Sequence, residues 1–153
     1  MVEGVDRVGK STFVKRLKKI LFLDSLHFTK NDPRNYLFYS QTMLKDNIIF
    51  DRHFISEYIY SKAFNRPTTL TDNLFNKLMH QAQDLNIKII ILYEDNRILE
   101  KRMASEEDLK VVENFKTINN LYIELGLKFK NQILLIKPKK INKVIRDIKN
   151  GKL

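Results

Sequence analysis

Gly4-Val5-Asp6-Arg7-Val8-Gly9-Lys10-Ser11-Thr12 fits the pattern G-x-x-x-x-G-K-[ST] with every fixed position filled. Two glycines let the backbone curl until successive N–H groups point at one anion, and a following helix adds the positive end of its dipole there. Lys10 is then placed to reach the β- and γ-phosphates of a nucleotide, and the Ser11 hydroxyl is the kind of oxygen that a nucleotide-bound magnesium accepts. Phe13, Leu17 and Ile20 continue at helical spacing, so the spacing predicts an amphipathic helix over Lys10 to Leu21. Lys10 is expected on an exposed loop. Only Met1, Val2 and Glu3 precede the first glycine, whereas a strand feeding such a loop ordinarily has about five or six residues. The first strand therefore reads as clipped, either as a minimal version of the fold or from a start placed downstream of the true one.

A second cluster lies further on. Asn47-Ile48-Ile49-Phe50 reads as a buried strand that delivers Asp51-Arg52-His53 at its carboxyl end, where open α/β sheets bind ligands. Asp51 is suited to hold a magnesium shell or to receive an acceptor's proton, while the planar fork of Arg52 suits a phosphate bidentately. His53 reads equally as a packed imidazole and as a substrate contact.

Glu3-Gly4-Val5-Asp6-Arg7-Val8-Gly9-Lys10-Ser11-Thr12 resembles the thymidylate kinase signature E-G-[IVL]-D-x-x-G-K-[ST], and the arginine after the aspartate resembles the eukaryotic and viral branch of that family. The run Asp51 to Tyr60 is similar to the family's D-R-[YH]-x-x-S-x-x-A-Y, matching at Asp51, Arg52, Ser56 and Tyr60. The resemblance implies an ATP site made by Gly4, Asp6, Arg7, Val8, Gly9, Lys10, Ser11 and Thr12. It implies catalysis by Arg7, Lys10, Asp51 and Arg52, acceptor binding by Asp6, Arg34, Arg52 and Tyr60, and Mg2+ near Ser11 and Asp51. Arg34 enters because Asp32-Pro33-Arg34 loosely resembles the arginine beside a proline that the family carries after its second strand. In the P-loop-arginine branch, Arg7 takes the charge-neutralising role that a lid arginine has elsewhere. The lid position falls at about 104–110, and no arginine lies inside it. The interval from the phosphate loop to Asp51 is several dozen residues shorter than is typical, which bears on the pocket for the acceptor base.

The remaining chain reads in order as a strand over Ser25 to Thr29, a turn over 30–34, a short helix over Asn35 to Lys45, and a turn with hydroxyl caps over Pro67 to Asp72. A helix over Asn73 to Asp84 packs Phe75, Leu78, Met79 and Ala82. Ile87 to Tyr93 is apolar and β-branched throughout, as a strand covered on both faces requires. Asp95 to Met103 reads as a helix. Ser105 and Asp108 suggest a capping box opening a long helix to Leu125, ended by Gly126. Gln132 to Ile136 is the last strand, and Ile141 to Ile148 a closing helix with Val144, Ile145 and Ile148 inward.

The 153 residues carry a net charge of +10 and no cysteine. Thiolate metal sites and disulfides are thereby excluded, and a cytoplasmic location is expected. No apolar run approaches the ~20 residues that span a bilayer. From Gly126 onward eight lysines and Arg146 face the single acid Asp147. They are threaded among Ile, Leu and Val at structural periods, so a solvated basic face is favoured over a nucleic-acid groove.

These readings converge on one α/β domain over residues 1–153, a P-loop NTPase fold with a five-stranded parallel sheet and helices on both faces. Its expected activity is transfer of the γ-phosphoryl of ATP, with Mg2+, to a (deoxy)nucleoside monophosphate, most simply dTMP to dTDP. Two alternatives stay open. One is a deoxynucleoside kinase, a group that usually has glutamates where this chain has Phe28 and Asp51. The other is a catalytically weak nucleotide- or nucleic-acid-binding module. A homodimer is implied by the resemblance alone.

Overall fold

The computed structural model describes residues 1–29, 31–103 and 109–152. The expected lid at 104–110 and the Ser105–Asp108 capping box therefore fall wholly or largely outside the described residues. In chain order the elements are β1 (Val2–Gly4), α1 (Lys10–Leu21), β2 (Asp24–His27), α2 (Tyr36–Thr42), β3 (Ile48–Asp51), α3 (Phe54–Ala63), α4 (Asp72–Asp84), β4 (Ile89–Leu92), α5 (Asn96–Met103), α6 (Leu109–Lys128), β5 (Ile133–Ile136) and α7 (Ile141–Lys149), with a 3-10 turn at Pro138–Lys140 before the last.

Among the described residues five strands form one sheet in the order β2-β3-β1-β4-β5, with every neighbouring pair parallel. Parallel pairing forces each connection to cross a face of the sheet, and the helices do so. Helix α1 packs on β1, β2 and β3 and against α7, while α3 packs on β1 and against α6, which covers β4 and β5. All four residues of β4 are buried, the mark of a strand covered on both sides. Because the chain leaves β1 toward β2 and later leaves β3 for β4 on the other side, the strand order reverses between β1 and β3. The carboxyl ends of these two strands flank the crevice where such sheets bind ligands.

β1 is three residues long and central. It matches β4 over Val2, Glu3 and Gly4 but meets β3 only through Val2 and Asp51, with the Arg52 N–H donating to Val2 O at 3.0 Å. Ile48, Ile49 and Phe50 thus have no β1 partner, and a cavity of about 610 Å³ lined by Met1, Leu21, Ile48 and Ile89 among others opens at that end of the sheet. It lies at the opposite end of the strands from the phosphate loop.

Most boundaries fall within two residues of the sequence-based ones, and the side chains say why they stop. The Asn35 side chain accepts from Phe38 N at 3.0 Å to start α2, and Thr42 ends it by turning its hydroxyl onto Phe38 O and Tyr39 O. Helix α3 has no counterpart in the sequence reading. Its apolar residues Phe54, Ile55, Tyr58 and Ile59 are joined inside by Ser56, Glu57 and Ser61, so little amphipathic contrast remains to be read.

Gly126 corrects an expectation. It sits inside α6, which runs on to Lys128, and does not end the helix. A Cβ there would lie 2.4 to 2.9 Å from three side-chain carbons of Leu135 on β5, so the glycine is a closeness of helix to strand. Gly126→Ala would gain about 1 kcal/mol of helix propensity but overpack this contact by about 1–3 kcal/mol. A lower midpoint in thermal melting is therefore expected, recovered when Leu135→Val is added; a higher midpoint for the single variant would mean that Leu135 moves aside freely.

Candidate active site

The loop between β1 and α1 is shaped by its two glycines. Gly4 has φ +138°, and a Cβ on it would lie 2.3 Å from Leu92 O, so the central strand and β4 approach there as only glycine allows. Gly9 is left-handed at φ 100° and serves as the N-cap of α1 without a side-chain cap, leaving the first N–H groups of the helix directed at the loop. Arg7 (φ 59°) and Arg52 (φ 67°) are also left-handed, an arrangement that costs a non-glycine residue about 1–3 kcal/mol and clusters at ligand sites.

Two adjoining cavities lie at this end of the sheet. The first, about 290 Å³, is lined by Asp6, Lys10, Ser11, His27, Phe28, Thr29, Asp51 and Arg52. The second, about 200 Å³, shares Phe28, Thr29 and Arg52 and continues to Arg34, Tyr39, Glu57, Tyr60 and Arg66. The sequence-chosen Asp6, Lys10, Ser11, Asp51 and Arg52 thus meet around the first cavity, and Arg34 and Tyr60 around the second. Gly4, Gly9 and the buried Val8 shape the loop from behind. Thr12 is exposed on the first turn of α1 and lines neither cavity.

Asp6 ties the two clusters together. Its Oδ1 receives Arg52 Nη2 in an ion pair, and its Oδ2 accepts from the Tyr60 hydroxyl at 3.1 Å. The Arg52 guanidinium carbon lies 5.2 Å from the Tyr60 ring centroid. Burial alone would lower the Arg52 guanidinium, but Tyr60 and Asp6 outweigh it and hold it charged.

Lys10 departs from the exposed position expected of it. Only 6% of the residue is exposed; its Nζ donates to Val5 O at 3.2 Å and lies 3.9 Å from Asp6 Oδ1. Burial, with Arg52 adding to it, lowers its ammonium from 10.5 to about 8.

Arg7 stands at the outer rim, where its Nη1 donates to Arg102 O at 3.2 Å while Arg102 Nη1 donates to Arg7 O at 3.3 Å. The two arginines are therefore in reciprocal contact. Arg102 also reaches Glu94 Oε2 at 3.5 Å.

Several side chains at the site escaped the sequence reading. His27, at the end of β2, has Nδ1 3.0 Å from Asp51 Oδ2; a carboxylate only accepts, so Nδ1 carries the hydrogen. Glu57 is buried and receives Arg66 through Nη1 on Oε1 at 3.0 Å and Nη2 on Oε2 at 2.6 Å. Arg34 Nε stands 3.7 Å from Glu57 Oε2. Glu3, fully buried at the middle of the sheet, accepts from Ser56 Oγ at 2.5 Å, and burial pushes its carboxyl up. An acidic residue inside an apolar strand was the available signal for Glu3, and Glu57 and Arg66 gave none.

His53 is structural. It is buried among Phe28, Tyr39, Phe50 and Phe54, with Nε2 2.9 Å from the Thr42 hydroxyl, and burial lowers it from 6.5 to about 3, so it stays neutral.

The donor set fits a magnesium ion carried by a nucleotide. Asp51 Oδ1 is buried without a partner, and Asp51 and Ser11 line the same cavity. Among the described residues no three His, Cys, Asp or Glu side chains come together as a closed metal cage, and magnesium at phosphates ordinarily keeps water and phosphate oxygens as its other ligands.

No protein-family model matches the chain, and no curated protein sequence does. Solved structures do. The YorR protein of Bacillus subtilis, in complex with phosphorylated GDP, superposes with a TM-score of 0.76 at 20% identity, over 96% of this chain and 91% of that one. Deoxyadenosine kinase from M. mycoides with bound dCTP gives 0.59 at 17% identity, over 98% and 97%. With the products dCMP and a flexible dCDP it gives 0.57 at 17%, over 98% and 95%. At these identities the likeness is one of fold: the chain has the α/β P-loop NTPase fold.

The lowered Lys10 has a measurable consequence. Its charge is present below about pH 8 and lost above, so affinity for a nucleoside triphosphate should fall as pH rises from 7 to 9.5, by up to about tenfold per unit beyond pH 8. Calorimetric titration of the protein and of Lys10→Met checks this; equal pH dependence in both would remove Lys10 as the phosphate-binding charge.

Proposed function

We propose that this protein transfers the γ-phosphoryl of ATP to a nucleoside monophosphate, with dTMP as the acceptor that its motifs imply. The observation that carries this reading is the meeting of the phosphate loop, through Asp6, Lys10 and Ser11, with Asp51 and Arg52 around one cavity at the strand-order reversal. Fold likeness to the nucleotide-bound YorR protein and to a deoxyadenosine kinase supports it. The whole of residues 1–153 is taken as one cytoplasmic kinase domain, with a lid at about 104–110 and a homodimer as its assembly. Among the described residues no helix is long and apolar enough to cross a membrane.

In this mechanism the N–H groups of the loop and of the start of α1 cradle the donor phosphates, and Lys10 extends to the transferring group. A magnesium ion bound with ATP would sit near Ser11 and Asp51 and neutralise developing charge on the phosphate oxygens. Arg52 presents its fork to the acceptor phosphate from a position fixed by Asp6 and Tyr60, so its orientation is set before the substrate arrives. Arg7 lies on a loop pinned to the sheet and supplies the guanidinium that stabilises the migrating phosphoryl group.

A second reading has its own observation. His27, oriented by Asp51, is a proton acceptor at the same cavity. A sugar hydroxyl must lose a proton to attack, whereas a phosphate acceptor is already ionised at neutral pH. ADP release with dTMP, with thymidine, and with neither separates the readings: a dTMP-dependent rate supports the first, a thymidine-dependent rate the second, and a rate that neither acceptor raises leaves both readings without support.

Arg7→Ala should lower kcat at least about a hundredfold with little change in ATP affinity, because the interaction is realised in the transition state. Arg97→Ala, on the exposed side of α5, should change kcat far less. The reverse order would assign the catalytic charge to the lid side.

A further inference from the structure

The basic residues of α7, read from sequence as part of a solvated face, meet a second basic row in the structure. Helix α1 packs against α7, and Arg16 Nη1 donates to Asn142 Oδ1 at 2.7 Å. Lys19 follows Arg16 by three residues, and Arg146 and Lys149 follow Asn142 by four and seven, so all four lie along the edges where the two helices meet. Lys15 and Lys143 stand on the outer crests beside them, and all six cations are exposed. We propose that this seam binds single-stranded nucleic acid, with its phosphates on the two rows of cations and a base stacked on Phe22. The proposal is independent of the phosphotransfer reading and concerns a surface outside both cavities of the candidate active site.

The threading of cations among apolar residues is what builds the seam. Ile141, Val144 and Ile145 turn into the core from one side of α7, as Phe13, Val14 and Leu17 do from α1, and the cations are left on the outer sides. Neighbouring acids are turned away. Asp147 lies five residues after Asn142, about 140° around the helix. Asp24 meets Lys18 at 3.9 Å, and Lys18 is on the flank of α1 opposite Arg16. Packed helices run about 8–10 Å apart, so the two rows make one positive strip. Their mutual repulsion is relieved by an anion whose charges repeat along the strip, as those of a nucleic acid backbone do.

Phe22 closes one end of the seam. It caps α1 in the left-handed region at φ 54°, three residues after Lys19, and is 93% exposed although Leu21 and Leu23 on either side pack on the core. Such a backbone is an outlier for a bulky side chain, and this one carries an aromatic ring out into water. Base–aromatic stacking uses a ring so placed, and an unpaired strand can offer it the face of a base. That selects a single strand over a duplex. An anionic membrane needs an apolar face to sink into, whereas the other apolar residues of both helices pack on the core.

Fluorescence anisotropy with a labelled oligothymidylate of about twelve nucleotides tests the proposal. Contact with about four to six phosphates gives a slope of about −3 to −4 in log affinity against log salt, hence binding about 50- to 300-fold weaker at about 200 mM than at about 50 mM salt. Lys19→Glu and Lys149→Glu should each weaken binding at least about tenfold and flatten the slope, whereas Lys77→Glu, the same charge change on the exposed side of α4, should weaken it less than about twofold. Phe22→Ser should weaken binding at least about fivefold with the slope unchanged, since stacking releases no counterions. Saturating ATP with magnesium should leave the oligonucleotide bound. Equal losses in Lys77→Glu and Lys19→Glu overturn the proposal, because net charge alone would then account for the attraction. So does displacement by ATP, which would put the strand in the phosphate loop, and so does a Phe22→Ser protein that binds unchanged. A duplex of the same length bound as tightly as the single strand also overturns it, as does binding to phosphatidylserine vesicles without binding to oligothymidylate. Should a charge reversal fail to fold, Phe22→Ser and the competition with ATP decide by the same outcomes.

Discussion

A carboxyl group sits at the centre of the sheet, where an apolar side chain would be expected. Glu3 lies on the middle strand with no exposure, and its Oε2 gathers Ser56 of α3 at 2.5 Å and Tyr122 of α6 at 3.4 Å, while those two hydroxyls are themselves 2.8 Å apart. A buried carboxyl left alone would be costly, and burial pushes this one toward its neutral form. Three elements from distant parts of the chain are thereby obliged to keep one geometry around the residue that precedes Gly4. The phosphate loop inherits that geometry.

The charges outside this knot show the same economy of placement. Asp6 holds Arg52, Glu57 holds Arg66, and Asp51 meets His27, so each carboxylate at the site faces a partner from another segment. In a strongly basic chain this matters, because like charges gathered at a phosphate site would repel one another before a ligand arrived. Lys10 is the measure of the balance: burial and Arg52 lower it, Asp6, Asp51 and Glu3 raise it, and it remains mostly charged at neutral pH.

What could be read from the sequence was what depends on short-range pattern. The loop and α1 follow from glycine spacing and a helical stripe, and β4 from an uninterrupted apolar run. Asp51 and Arg52 could be placed because a strand must end where its apolar residues do. The residues that escaped are those whose partners are remote in sequence. Glu3 finds Ser56 and Tyr122, 53 and 119 positions away. Glu57 and Arg66 sit on a helix too evenly apolar to be recognised and on the loop behind it. Gly126 looked like a helix end because nothing local reveals that Leu135 lies against it. Lys10 was expected to be exposed because its motif fixes where it points, not how deeply the loop is packed.

The reciprocal bonds between Arg7 and Arg102 tie the phosphate loop to the end of α5 at two points. Each guanidinium donates to the other's carbonyl, so losing either side chain still leaves one bond between the two segments. The same two bonds join the left-handed Arg7 of the loop to the helix that leads toward the expected lid position.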